Sequence, residues 1–163
     1  MKKKLKPMVH RVHLAYNNGF RWEKYGTVNI KGYIHDKDSF LKLINGSSPD
    51  RIAKQLAVQS GNFAIVKSGE SSLLAAVDPV RSIPLFYTVT ASEIIVSDKA
   101  DYLKQYIKEQ EFDPESETEY LLTGYTTGNS TLYREIKQLQ AGQMLIFRNN
   151  KLEIIDYFKF KFQ

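Results

Sequence analysis

Apolar residues in this chain come mostly in short runs separated by turn-forming residues, with helical spacing in only a few places. Residues 9–16 (VHRVHLAY) alternate loosely and predict a strand, followed by a turn at Asn17, Asn18 and Gly19. Residues 27–34 (TVNIKGYI) are rich in strand formers, and Gly32 among them predicts a bulge or a close backbone approach. Ser39 is expected to cap a short helix reaching Ile44, with residues 45–49 as loop. In residues 50–59, Ile52, Leu56 and Gln59 share one helical face with Ala53 and Ala57 nearby, and Gly61 is expected to end that helix. Strands at 63–67, 73–77, 85–90 and 94–97 follow, with turns at Ser68-Gly69-Glu70 and Ala91-Ser92.

Asp98 is expected to cap a helix reaching Lys108, with Ala100, Leu103, Tyr106 and Ile107 on its apolar side. Asp113 and Pro114 read as N-cap and first residue of another helix, running to Leu122 and ended by Gly124. Residues 124–131 read as a surface loop: they hold glycines but no lysine and no strand-to-helix context, so they do not make a phosphate cradle. Two last strands, 143–147 and 152–158, flank Asn149 and Asn150, residues that tolerate the positive φ of a tight hairpin. Strands first, then adjacent helices, then strands again predict a layered α+β fold with mainly antiparallel sheets. At 163 residues the length fits one domain, read here as a basic tail over residues 1–8 and a single domain over 9–163.

Charge and composition narrow the function. Lys2, Lys3, Lys4 and Lys6 supply four of the net +5, leaving +1 for the rest. The basic character therefore reads as a solvated tail, with no basic stripe for nucleic acid. No apolar run approaches the ~20 residues that span a bilayer, and residues 8–18 break any signal-peptide core with histidines and an arginine. A cytoplasmic location and no membrane partner are expected. With no cysteine in the sequence, disulfides, thiolate metal sites and a cysteine nucleophile are excluded from these residues. His10 and His13, three apart on a strand, point to opposite faces, so no metal site is expected. No cofactor is expected either. Asp78 and Arg81 predict a buried ion pair or a hydrogen-bonded turn at the Asp-Pro step, with Pro84 at an edge or first strand position. The run Tyr157, Phe158, Phe160 and Phe162 alternates with lysines and is expected to expose apolar surface.

Two segments together resemble the N-terminal glutaminase-like domain of the asparagine synthase family, class II glutamine amidotransferases with the N-terminal-nucleophile fold. The first is Gly61-Asn62-Phe63-Ala64, a hairpin, Asp78, the step Ile83-Pro84-Leu85-Phe86-Tyr87 and the pair Ser97-Asp98. It is similar to the family's Gly-(Asp/Met)-Phe-Ala, hairpin, Arg-Asp-x-x-Gly-x-x-Pro-Leu-Tyr-Tyr and Ser-Glu or Ser-Asp. The second is Ile136, Leu139-Gln140-Ala141-Gly142 and a hairpin ending in Tyr157-Phe158, similar to the family's Ile-x-x-Leu-Pro-Pro-Gly and terminal Tyr-Trp. Asp78, Arg81, Pro84 and Tyr87 are the structural motif positions this implies.

The departures bear on activity. In the family a cysteine after the initiator Met attacks the glutamine amide, its own α-amino group acting as base. Here Lys2 follows Met1, so no catalytic residue is assigned. The family's Asn-Gly-Glu becomes Lys31-Gly32-Tyr33, and its motif glycine after Asp78 is Arg81. Its Arg-Gly-Pro-Asp segment has no counterpart, and the N-terminal part, about 26 residues before the Thr27 strand, is shortened. Lys31, Gly32, Tyr33, Asp50 and Asn62 are the positions equivalent to substrate-binding ones, although Asp50 also reads as a residue of a helix N-terminus. The family's ATP-binding Ser-Gly-Gly-x-Asp-Ser does not occur in these residues.

Three functions stay open. The first is a catalytically degenerate domain that serves as structural or binding partner of an ATP-dependent amide-forming synthetase on another chain, or of a second copy of itself. The second is an enzyme with a re-purposed site, and the third is an independent ligand- or protein-binding module.

Overall fold

The structure is a computed structural model that describes residues 8–15 and 19–160. Its ten strands are β1 (Val9–His13), β2 (Trp22–Tyr25), β3 (Val28–Ile34), β4 (Gly61–Ser68), β5 (Ser72–Val77), β6 (Phe86–Val89), β7 (Glu93–Ser97), β8 (Ile136–Gln138), β9 (Gln143–Arg148) and β10 (Lys151–Asp156). Four helices complete the described residues: α1 (Lys37–Gly46), α2 (Pro49–Val58), α3 (Ala100–Leu103), which runs into a tight turn at Lys104–Tyr106, and α4 (Pro114–Thr123).

The strands form two sheets. The larger has the order β10-β9-β5-β4-β3-β2 and is antiparallel throughout, and the smaller has the order β1-β7-β6-β8. The pairing of β1 with β7 is parallel, and β6 pairs antiparallel with both its neighbours. This is the expected α+β fold with mainly antiparallel sheets.

Alternation of side chains along each strand sorts the core into layers. Phe40, Ile44, Ile52 and Leu56 of α1 and α2 pack on Ile30, Ile34, Phe63, Ile65 and Met144 of the large sheet. The other face of that sheet, including Ala64, Val66, Leu73, Ala75 and Val77, packs on Tyr87, Ile94 and Val96 of the small sheet. The outer face of the small sheet, through Ile95 and Ile136, is covered by Leu103 and Ile107. The order is helix, sheet, sheet, helix. The central strands β4, β5 and β7 are therefore covered on both faces, which is why they read as continuous apolar runs rather than alternating ones.

Several boundaries differ from expectation. Asp36, not Ser39, caps α1: it sits in the left-handed region with φ 50°, and its carboxylate accepts from the Ser39 amide at 3.4 Å. Aspartate tolerates that conformation and offers a short acceptor, so the helix starts earlier. The loop expected over residues 45–49 shrinks to Ser47 and Ser48, because α1 continues to Gly46 and Ser48 already caps α2, with Pro49 at its first turn. Gly61 does not end α2, which stops at Val58 with Gln59 as its C-cap; Gly61 opens β4 instead. Asp98 caps no helix. It is buried and accepts from the Ala15 amide at 2.9 Å and the Trp22 indole at 2.7 Å, and the helix after it is short. Strands β2 and β8 have no counterpart among the expected elements. The Asp113–Pro114 start and Gly124 end of α4 and the Asn149-Asn150 hairpin turn agree with the sequence reading. The expected turn at Asn17 and Asn18 lies outside the described residues. Among the described residues no helix is long and apolar enough to cross a membrane, and no group of three or more His, Asp or Glu is placed to hold a metal.

Candidate functional site

The Asp-Pro step is built around one carboxylate. Asp78 follows β5 and has no solvent exposure. One of its oxygens accepts from the Val80 amide at 2.9 Å, and the other accepts from the Phe63 and Ser82 amides, both at 3.0 Å. Its carbonyl accepts from the Arg81 and Gly142 amides. A single residue thus ties together β4, the turn after β5 and the turn before β9, and its carboxylate bonds are of the strong charge-assisted kind. Tyr157 closes the arrangement. Its hydroxyl donates to the Val77 carbonyl, and its pKa is pushed well up by burial and by the charge of Asp78.

The turn is hydrogen-bonded as expected, but the ion pair is not made. The Arg81 guanidinium leaves Asp78 and donates to the Gln138 side-chain carbonyl. Arg81 itself sits at φ 55°, the left-handed region that glycine adopts without cost. Pro84 precedes β6 rather than occupying a ladder position, since a residue without an amide proton fits best outside the pairing. Tyr87 is buried between the sheets, and burial pushes its pKa up against a hydrogen bond with Asn129.

Four of the five substrate-equivalent positions come together on neighbouring strands. In the register of β3 and β4, Lys31 faces Ala64, Gly32 faces Phe63 and Tyr33 faces Asn62. The strands approach unusually closely here. A Cβ on Gly32, at φ 95°, would meet the Asn62 carbonyl oxygen at 2.1 Å, and one on Gly61 would meet the Tyr33 carbonyl oxygen at 2.1 Å. Gly32 is thus the close backbone approach read from the sequence. Lys31 is buried, at 2% exposure, whereas Tyr33 and Asn62 are exposed. Asp50 does not join them. It lies in the first turn of α2, where a carboxylate complements the helix dipole.

A second feature has no local signature in the sequence. Residues 124–131 do not simply cover the surface; with α4 they wall a cavity of about 360 Å³ on the outer face of the small sheet. Gln138 organises this wall. It is buried, and its amide donates to the Gly128 carbonyl at 3.2 Å and the Ser130 carbonyl at 2.9 Å. Arg134 forks onto Asp113 at 2.9 and 2.7 Å, and the other Asp113 oxygen caps α4 through the Ser116 amide. Arg134 and the cap both hold the Asp113 carboxyl below its ordinary range. The pieces of this wall lie far apart along the chain, so no single motif announces it.

Among solved structures, glutamine phosphoribosylpyrophosphate amidotransferase from B. subtilis, complexed with ADP and GMP, is similar at 13% identity and a TM-score of 0.47, over 83% of this chain and 30% of that one. A structure described as the allosteric regulatory enzyme of purine biosynthesis is similar at 14% identity and a TM-score of 0.47, over 82% of this chain and 30% of that one. The chain thus spans less than a third of the length of either. No match to a curated protein was found. Residues 50–158 match the glutamine amidotransferase domain family, a span that holds the Asp78 turn, the Pro84–Tyr87 step and the terminal hairpin but not the 31–33 segment. As the match covers about two thirds of the sequence, this chain belongs to the glutamine amidotransferase domain family.

Proposed function

We propose that this chain is a catalytically degenerate member of its family, of the asparagine-synthase-like kind, and acts as a structural or binding partner of an ATP-dependent amide-forming synthetase. In this reading residues 9–163 work as one domain behind a basic tail. The observation that carries it is that the 163 residues contain no cysteine. The thiolate is the nucleophile of glutamine hydrolysis in the resembling family.

The 31–33 segment supports the same reading. Lys31 and Tyr33 stand where the resemblance places a carboxamide and a carboxylate, so the groups that would hold the amino acid are replaced. A buried lysine and an exposed tyrosine offer no pair of acceptors for a glutamine α-ammonium. The Asp78 turn and the two-sheet core, by contrast, are fully formed. A folded domain without the resembling family's nucleophile supports a binding role.

Affinity capture of the tagged full chain from its native host tests this. Recovery of an ATP-dependent synthetase-type enzyme in stoichiometric amount is expected. Repeated capture with no such enzyme, at physiological salt and with ATP present, contradicts it.

A further inference from the structure

The cavity on the outer face of the small sheet lies apart from the β3–β4 segment and is not used by the function above. Its walls are aromatic, with Phe86, Tyr120, Tyr125 and Tyr133 among its lining residues, and its polar lining includes Arg81 and Gln138. A volume of about 360 Å³ falls in the range of small-molecule sites, which pair apolar walls with a few placed polar groups.

Arg81 is the unusual group in it. Its Nε is buried and has no hydrogen-bond partner. Among the described residues no carboxylate lies within ion-pair distance of its guanidinium. One nitrogen donates to Gln138, whose own amide is pinned by Gly128 and Ser130, so the fork is oriented. The backbone at Arg81 holds the left-handed conformation, which is strained for a residue other than glycine. A strained residue that places a half-buried cation beside an aromatic cavity is the kind of backbone outlier that points toward a function. Burial without a compensating charge also lowers the guanidinium pKa.

We propose that this cavity binds a small monocarboxylate with an aromatic or apolar body, its carboxylate held by Arg81 and its body lying among Tyr120, Tyr125 and Tyr133. Planar guanidinium matches planar carboxylate through two parallel N–H donors, and with Nε closed off by burial it is the Nη edge of Arg81 that can meet the ligand. Asp101 also lines the cavity, paired at 3.9 Å with Lys104 and open to solvent. Exposed and paired, Asp101 discriminates little; an aromatic carboxylate is favoured over phosphate because its apolar body can cover the tyrosine rings and phosphate has none.

The test is titration of the isotopically labelled full chain with phenylacetate, and separately with inorganic phosphate, followed by amide NMR. Saturable phenylacetate shifts confined to residues 81, 86 and 120–138 are expected, with phosphate at least about tenfold weaker. Arg81→Gly relaxes the backbone while losing the Gln138 bond, so it is expected to fold and to lose affinity at least about tenfold. Arg81→Lys keeps the charge but not the fork and is expected to weaken binding as well. If Arg81→Gly does not fold, the Lys variant decides. Absence of saturable phenylacetate shifts, phosphate binding as tightly, or unchanged affinity in both variants overturns the proposal.

Discussion

Replacing Asp78 is the sharpest stability test of the fold. The carboxylate satisfies three backbone amides, of which that of Phe63 is fully buried and those of Val80 and Ser82 partly so. A buried donor left without a partner costs about 1–3 kcal/mol, and partly buried donors cost toward the lower end because water replaces some of the bond. Asp78→Ala therefore orphans one expensive and two cheaper donors, for a loss of roughly 3–5 kcal/mol. That is a large share of the ~5–15 kcal/mol that holds a domain together. Asp78→Asn keeps one oxygen but turns an NH₂ toward an amide that also donates, so about 2–3 kcal/mol is lost. In urea, with a slope of about 2 kcal/mol per molar, the Asn variant's midpoint falls by roughly 1–1.5 M and the Ala variant's by more. Trp22, the sole tryptophan, donates to Asp98 across the two sheets and reports the transition by fluorescence. A midpoint for Asp78→Asn within about 0.25 M of the parent would refute the view that this carboxylate ties the sheet to the turn.

Other substitutions probe separate joints. Gly32→Ala forces a methyl to 2.1 Å from the Asn62 carbonyl oxygen and 2.8 Å from Ile83; a loss of at least about 3 kcal/mol is expected, and a thermal melt within a few degrees of the parent would contradict the close approach. Tyr157→Phe removes the bond to the Val77 carbonyl and should cost about 1 kcal/mol in the same urea assay. His10 has its pKa lowered, chiefly by burial, against a hydrogen bond from its ring to the Gly69 backbone that raises it. Its native pKa lies below the ordinary 6.5, so the unfolded chain binds the proton first. Its contribution to stability is present above pH 6.5 and is lost as the pH falls through the native pKa. Urea midpoints between about pH 7 and 5 should drop less in His10→Gln than in the parent, and equal drops would remove this role.

Much of the fold is legible because strand alternation, turn residues and caps are local. Asp113–Pro114, the Asn149-Asn150 turn and the runs at β4, β5 and β7 announce themselves within a few residues. The errors arise where tertiary bonds outcompete local rules. Asp98 looks like a helix cap, yet its carboxylate is taken by Ala15 and Trp22, 83 and 76 positions away in sequence. Strand β2 sets the exposed Glu23 and Lys24 between the half-buried Trp22 and Tyr25, because it is an edge strand, and so it lacks an apolar run. At the candidate site, Gly32 is legible because a glycine within a strand pattern leaves a gap that a neighbouring backbone can fill. The departure of Arg81 from Asp78 toward Gln138 is not legible, since it depends on a three-residue strand whose glutamine lies 57 positions away. The aromatic cavity is hidden for the same reason.

On the function proposed above, this member of the amidotransferase domain family lacks the hydrolytic step. Ammonia release from glutamine, followed with the purified full chain by coupled glutamate dehydrogenase over hours, tests that directly. Release equal to the buffer blank is expected. Release that is proportional to protein, saturates with glutamine and survives repurification would contradict it.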